Sequence, residues 1–170
     1  DELTIELPWK IVQQSIAAEG DAYTMPCSYK VMQTMVEQEK RIGRRGAGGF
    51  YEYPEDGDKH IWPGLAKLWP VADTQPDVED LKKRFLYIQS LETARWYEEG
   101  ILTHPTDGDL GSILGWSFPT YTGGTLSLID TVGTQAFVSE CERMAEAYGE
   151  RFQPSAWLKD RASKGESFYG

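Results

Sequence analysis

Apolar residues recur along this chain at steps of three and four, and almost nowhere at steps of two. That period belongs to helices with one buried face. Ile5, Trp9, Val12 and Ile16 share such a face; Pro8 suits a first turn, and Gly20 stops the helix. Val31, Met32, Met35 and Val36 predict a second helix from about Ser28 to Arg41, with Gly43 as its left-handed stop. The stretch "FYEY" at 50–53 predicts a short extended piece. Residues 54–76 hold four prolines and read as a connector with one short helix, Gly64 to Trp69. Trp62 and Trp69 carry too much apolar surface to leave in water, so this connector is expected to lie on the protein.

The longest helix is predicted to start near Asp77, an N-cap followed by a second acid three residues on, and to end at Gly100. Val78, Leu81, Phe85, Ile88 and Leu91 form its expected buried stripe. A shorter helix covers roughly Thr106 to Gly115 with Leu110, Ile113 and Leu114; the irregular stretch "WSFPTYTGGT" follows, and helix resumes near Leu126. Phe137, Cys141, Met144 and Tyr148 mark another amphipathic helix, and a last one starts after Pro154. The predicted fold class is all-α.

A chain of 170 residues that is 40% hydrophobic can bury one core or two small ones. No apolar run approaches the roughly 18 residues of a membrane span. No signal peptide opens the chain, and "DELTIELPWK" reads as the interior of a longer protein. A net charge of −10 argues against nucleic acid as a partner, because phosphate backbones need a basic face. Cys27 and Cys141 lie in no CxxC and beside no histidine, which predicts reduced thiols in a cytoplasmic protein and no structural zinc.

The two ends of the chain share their punctuation. Asp1 to Gly20 is a step of nineteen, and so is Asp130 to Gly149. An acid, an aromatic and a proline follow each glycine: Asp21, Tyr23 and Pro26, then Glu150, Phe152 and Pro154. Each half then runs through a helix into Phe-Tyr, at Phe50-Tyr51 and at Phe168-Tyr169. A tandem repeat is expected, with residues 1–53 the tail of a first helical unit, 54–76 the connector and 77–170 a complete second unit. The apolar stripes of the two copies are expected to be buried on each other.

"RIGRRGAGGFYEYPEDGDKHIWPGL" resembles the end of a C-terminal domain of the 3-hydroxyacyl-CoA dehydrogenases, in the form found in multifunctional α-subunits of bacterial fatty-acid oxidation complexes. Residues 94–133 resemble the core of the same domain: Glu98-Glu99-Gly100, Asp107, Phe118-Pro119, Gly123-Gly124, Asp130 and Gly133 in that order. The resemblance covers nearly the whole chain. It accounts for the repeat, because multifunctional members carry this helical domain twice. Ser117 and Thr125 depart from the glycine and proline usual there, and "SKGESFYG" lacks the arginines of the first copy.

The resemblance implies L-3-hydroxyacyl-CoA oxidation with NAD in β-oxidation. It places NAD and a catalytic His–Glu pair on an N-terminal Rossmann domain of the same protein. This stretch then has no catalytic residue, no metal and no cofactor of its own. It completes the acyl-CoA cleft and supplies an interface, for a second copy or for a thiolase subunit. A stand-alone helical protein-interaction module is the alternative.

Candidate chemistry is sparse beside this. Residues 41–57 contain five glycines and three arginines but match neither a Walker A loop nor a dinucleotide fingerprint. Lys40, Arg41, Arg44 and Arg45 either complement a helix C-terminus or offer Arg44 and Arg45 to the phosphates of a CoA ester. Phe118, Pro119, Gly123 and Gly124 form a loop that either lines an acyl pocket or merely turns one helix into the next. Glu98 and Glu99 point about a hundred degrees apart on a helix and form no dyad. His104 reads as a residue beside a helix start capped by Thr106 or Asp107; His60 sits in the connector. Asp107 and Asp109 are expected to complement the dipole of that same helix.

Overall fold

The computed structural model describes residues 1–170. The protein is all-α, with eight α-helices and a single two-stranded sheet. The chain divides into two compact units, Asp1–Asp73 and Thr74–Gly170. No helix is long and apolar enough to cross a membrane.

The first unit is built on α1 (Glu6–Glu19) and α2 (Tyr29–Gln33). Ile5, Trp9, Val12, Met32 and Met35 form its core, with Ile16, Tyr29, Phe50, Trp62 and Leu65 packed against them. The predicted stripe of α1 is therefore the buried one. The second helix is shorter than its apolar pattern predicts. After Gln33 it widens into a π-helical turn, Thr34–Gln38, and Lys40 takes a left-handed conformation at φ 56°. The chain reverses there, so Gly43 is not the stop: it pairs with Gly48 across a tight hairpin. Tyr51–Glu52 (β1) then pairs antiparallel with His60–Ile61 (β2), and α3 (Gly64–Leu68) follows. Trp62 lies against the core, as expected of the connector, but Trp69 remains 39% exposed.

The second unit opens with α4 (Val78–Glu98), whose N-cap Asp77 accepts a hydrogen bond from the Asp80 amide at 3.0 Å. The helices α5 (Pro105–Trp116), α6 (Thr125–Val132), α7 (Thr134–Tyr148) and α8 (Ala156–Lys164) complete it. α6 sits among α4, α5 and α7, with Leu126 and Ile129 fully buried. Phe137, Cys141 and Met144 on α7 are also fully buried, in agreement with their predicted stripe. The core of this unit draws only on its own residues, from Tyr87 to Phe168, as that of the first unit draws on Ile5 to Leu65. Each unit thus has an apolar centre of its own.

Two helices depart from their predicted faces: α4 buries Leu91 and packs Ile88 on the core as expected but leaves the start of its stripe exposed, and α5 buries another face. On α4, Tyr87, Leu91 and Ala94 are buried, whereas Val78 and Phe85 are 61% and 72% exposed. On α5, Leu110 and Leu114 face outward, and Gly108, Asp109 and Ser112 face inward. The reason is close approach: a Cβ at Gly108 would lie 2.9 Å from the Thr93 methyl, so only a small residue lets α5 reach α4 and α6. Apolar periodicity cannot see a helix that packs through its small residues.

Candidate functional site

The glycine- and arginine-rich hairpin is organised by two charged side chains that never leave the protein. Arg41 is buried; its Nε donates to the Gly49 carbonyl at 2.8 Å and its Nη2 to that of Tyr51 at 3.0 Å. Its guanidinium also stacks 4.3 Å from the Trp62 ring centre. The Asp1 carboxylate accepts from the amides of Phe50 and Tyr51, both at 2.9 Å, and from the Tyr53 hydroxyl at 3.1 Å. A side chain at Gly49 would collide with that carboxylate, and one at Gly48 with Arg41. The glycines therefore admit an internal acid and an internal base, not a ligand's phosphate.

Arg44 and Arg45 part company. Arg44 grips both oxygens of Glu2, at 3.2 and 2.9 Å, and lies 5.4 Å over the Tyr53 ring. The hydrogen bond from Arg44 holds the Glu2 carboxyl below its ordinary range, and the same contact raises Arg44. Arg45 is exposed, with no carboxylate partner. Beside them runs an open groove of about 280 Å³ lined by Glu2, Arg44, Tyr53, Pro54, Gly57 and Lys59.

The second candidate loop follows the left-handed Ser117, at φ 62°. Phe118 is only 2% exposed and belongs to the core, Pro119 is half-buried, and Gly123 reaches the surface. Gly124 adopts φ 122°, and a Cβ there would overlap the Asp109 carboxylate. Asp109 is 4% exposed. It caps not its own helix but the next one: the amides of Leu126 and Ser127 donate to it at 2.7 and 3.1 Å, and the Ser127 hydroxyl at 2.6 Å. The Tyr169 hydroxyl adds a fourth donor at 2.6 Å. The carboxylate so neutralises the amino end of α6.

Asp130 performs on Phe168 and Tyr169 what Asp1 performs on Phe50 and Tyr51. Its oxygens accept from the Phe168 amide at 2.9 Å and from the Tyr169 amide at 3.1 Å. The same aspartate-to-Phe-Tyr latch thus closes both units. In the sequence Asp109 reads only as a complement to the dipole of its own helix, Asp130 as a motif residue, and Asp1 and Tyr169 as repeat punctuation; none of them predicts these contacts. The matched steps from aspartate to glycine, and the two Phe-Tyr pairs, were the available signal.

His60 is exposed and meets Glu52 at 3.2 Å; His104 is the exposed N-cap residue of α5 and makes no side-chain cap bond, nor does Thr106 or Asp107. Glu98 and Glu99 are exposed at the end of α4. Cys27 and Cys141 are both free thiols, and burial pushes the thiol of Cys141 up to about 12.

No family model matches the chain. Curated relatives do. Nearly the whole chain (99%) is 31% identical over 172 residues to a fatty acid oxidation complex subunit alpha of Vibrio vulnificus. A protein of the same name from Pseudomonas savastanoi pv. phaseolicola is 33% identical over 167 residues, 92% of this chain, and one from Shewanella loihica 31% over 173. The chain spans about a quarter of the length of these relatives, 23% of the first two and 24% of the third. It is homologous to a segment of fatty acid oxidation complex alpha subunits, and the resemblance read from its motifs is borne out.

Proposed function

We propose that this chain is the C-terminal helical portion of an NAD-dependent 3-hydroxyacyl-CoA dehydrogenase of fatty-acid β-oxidation. The intact cytoplasmic enzyme oxidises L-3-hydroxyacyl-CoA to the 3-ketoacyl ester. This portion completes its substrate cleft and supplies interface surface without performing the chemistry. Residues 1–53 are the tail of one helical unit, 54–76 a connector and 77–170 a second unit of the same kind. The Asp1 and Asp130 latches support that pairing.

One observation carries the division of labour. Several residues of the ordered motif serve architecture: Phe118 lies in the core, Gly124 makes room for Asp109, and Asp130 holds the closing Phe-Tyr pair. All four donors on the Asp109 carboxylate come from the protein itself. The glycines present do not fit NAD either. Gly46, Gly48 and Gly49 open no helix after a strand, and the Asp1 carboxylate against Gly49 would repel a pyrophosphate. In this reading the cofactor is held by an NAD-binding domain of the same polypeptide.

Toward the acyl-CoA, Arg45 is the free guanidinium for a phosphate, and Arg44 can join it by exchanging Glu2 for the ligand. Phe118 and Gly124 act from within, fixing the loop whose outer edge at Pro119 and Gly123 meets the rest of the enzyme. The outward residues of α5, Leu110 and Leu114, with Trp116 and Tyr121, are 53%, 81%, 45% and 82% exposed. They suit a subunit interface, with a second copy or with a thiolase subunit. The same face would serve a stand-alone interaction module. A βαβ unit with G-x-G-x-x-G upstream in the reading frame decides between the two.

The test is an NADH-formation assay with L-3-hydroxyacyl-CoA. The 170-residue protein should be silent and the intact enzyme active; turnover by the 170-residue protein alone would falsify the assignment. In the intact enzyme, Arg44→Ala/Arg45→Ala should raise KM for the CoA ester by about tenfold, with kcat little changed.

A further inference from the structure

In the second unit, Arg84 and Arg151 differ from every other basic residue. Lys82, Lys83, Arg95, Arg143, Lys159, Arg161 and Lys164 each hold a carboxylate of the protein. Arg84 and Arg151 hold none; their guanidiniums rest on aromatic rings, 4.2 Å over Tyr148 and 5.1 Å over Phe152. Neither guanidinium is ion-paired, although Arg84 lies close enough to Asp80 to help lower that carboxyl, and in a chain with net charge −10 both can meet an incoming anion.

Both line the same groove, of about 230 Å³, with Leu81, Phe85, Ile88 and Phe152. Its floor is apolar. Phe85 is 72% exposed, and Val78 continues the stripe one turn earlier at 61%. Residues 78, 81, 85 and 88 follow the helical spacing of one face; Val78 and Phe85 turn to solvent, while Leu81 is half-buried and Ile88 packs on the core. The groove lies below the 300–1,000 Å³ or so of sites that engulf a whole ligand. It suits a flexible chain laid along α4 and anchored at one end.

We propose that this groove binds the anion of a medium-chain fatty acid, its tail over Leu81, Phe85 and Ile88 and its carboxylate between Arg84 and Arg151. The apolar floor selects the tail, and the paired guanidiniums select a planar carboxylate, which arginine can hold in a bidentate way. The choice of a fatty acid over other anionic amphiphiles rests on the proposed role in fatty-acid oxidation; the groove and its two arginines do not. An acidic amphipathic helix is the competing occupant.

Calorimetric titration of the 170-residue protein with decanoate tests this without NAD or turnover. Saturable one-site binding is expected. Arg84→Ala/Arg151→Ala should weaken it by about tenfold and Phe85→Ala by a few-fold, while Lys159→Ala/Lys164→Ala, which removes two cations elsewhere on the same unit, leaves it unchanged. Decanol, with the same tail and no charge, should bind about tenfold more weakly. Thermal melts establish that each variant is folded. Absence of saturable decanoate binding, or binding indifferent to both arginine and Phe85 changes, overturns the proposal. So does binding of decanoyl-CoA without decanoate, which assigns the arginines to phosphate. Displacement of decanoate by a helical acidic peptide at lower concentration than any fatty acid transfers the groove to a protein partner. Because no step of the assay depends on dehydrogenation, an inactive intact enzyme would leave this result untouched.

Discussion

Replacing Asp109 with alanine strips the acceptor from two amides at the head of α6, from Ser127 and from Tyr169. The loss of a cap together with buried unpaired donors should cost about 3 kcal/mol, read as a lower urea midpoint at unchanged slope. Gly124→Ala should cost a similar amount by a different route. A Cβ there strikes the same carboxylate and sits at a φ that alanine avoids. Gly124 is legible in the sequence as a loop glycine, but the role of Asp109 is not, for a physical reason. A carboxylate that reaches amides seventeen or thirty-nine residues away leaves no periodic trace. The thiols behave oppositely to each other: exposed Cys27 should react readily with iodoacetamide at pH 8. Cys141, buried and with its thiol pushed up to about 12, should react only in denaturant, as mass spectrometry of the alkylated protein would show.

Between elements, α4 and α7 are joined at their surface by Asp80, which accepts from Arg143 and from the Tyr148 hydroxyl at 2.5 Å, and by Lys83 with Glu140 at 3.0 Å. The Tyr148 hydroxyl first, and then Arg143, hold the Asp80 carboxyl below its ordinary range; Arg143 and Lys83 do the same for Glu140. A depressed folded-state value means stability that is present above the unfolded carboxylate's pKa of about 4 and lost as pH falls through the folded value. The melting temperature should therefore drop on acidification below about pH 4, and Asp80→Asn should flatten that drop while lowering the melting temperature at pH 7. The capping role of Asp77 was legible because Asp, a three-residue step and an apolar run are local. The inward faces of α4 and α5 were not. α4 offers apolar residues on more than one side, and α5 turns Gly108 and Ser112 inward with Leu110 and Leu114 outside. Choosing among such faces depends on the neighbouring helix, not on the sequence of the helix itself.

For the whole molecule, the all-α class was readable throughout, since helical spacing recurs from Ile5 to Met144 with no competing alternation. What spacing could not supply is the location of the cores. Residues 74–170 contain every member of the larger one, so that stretch expressed alone should unfold in a single cooperative urea transition. Residues 1–73 alone, with a core of five buried side chains, should lose structure at lower urea. Circular dichroism of the two peptides beside the intact chain measures both.

The Asp130 latch also bears on how the second unit is made. Its acceptor is translated thirty-nine residues ahead of the Tyr169 amide that it holds, and the Tyr169 ring in turn completes the shell around Asp109. On a ribosome, helices α4 to α8 can coil as they emerge. The knot that ties them together must wait for residue 169 to clear the exit tunnel, so closure of this unit comes only after its last helix has emerged.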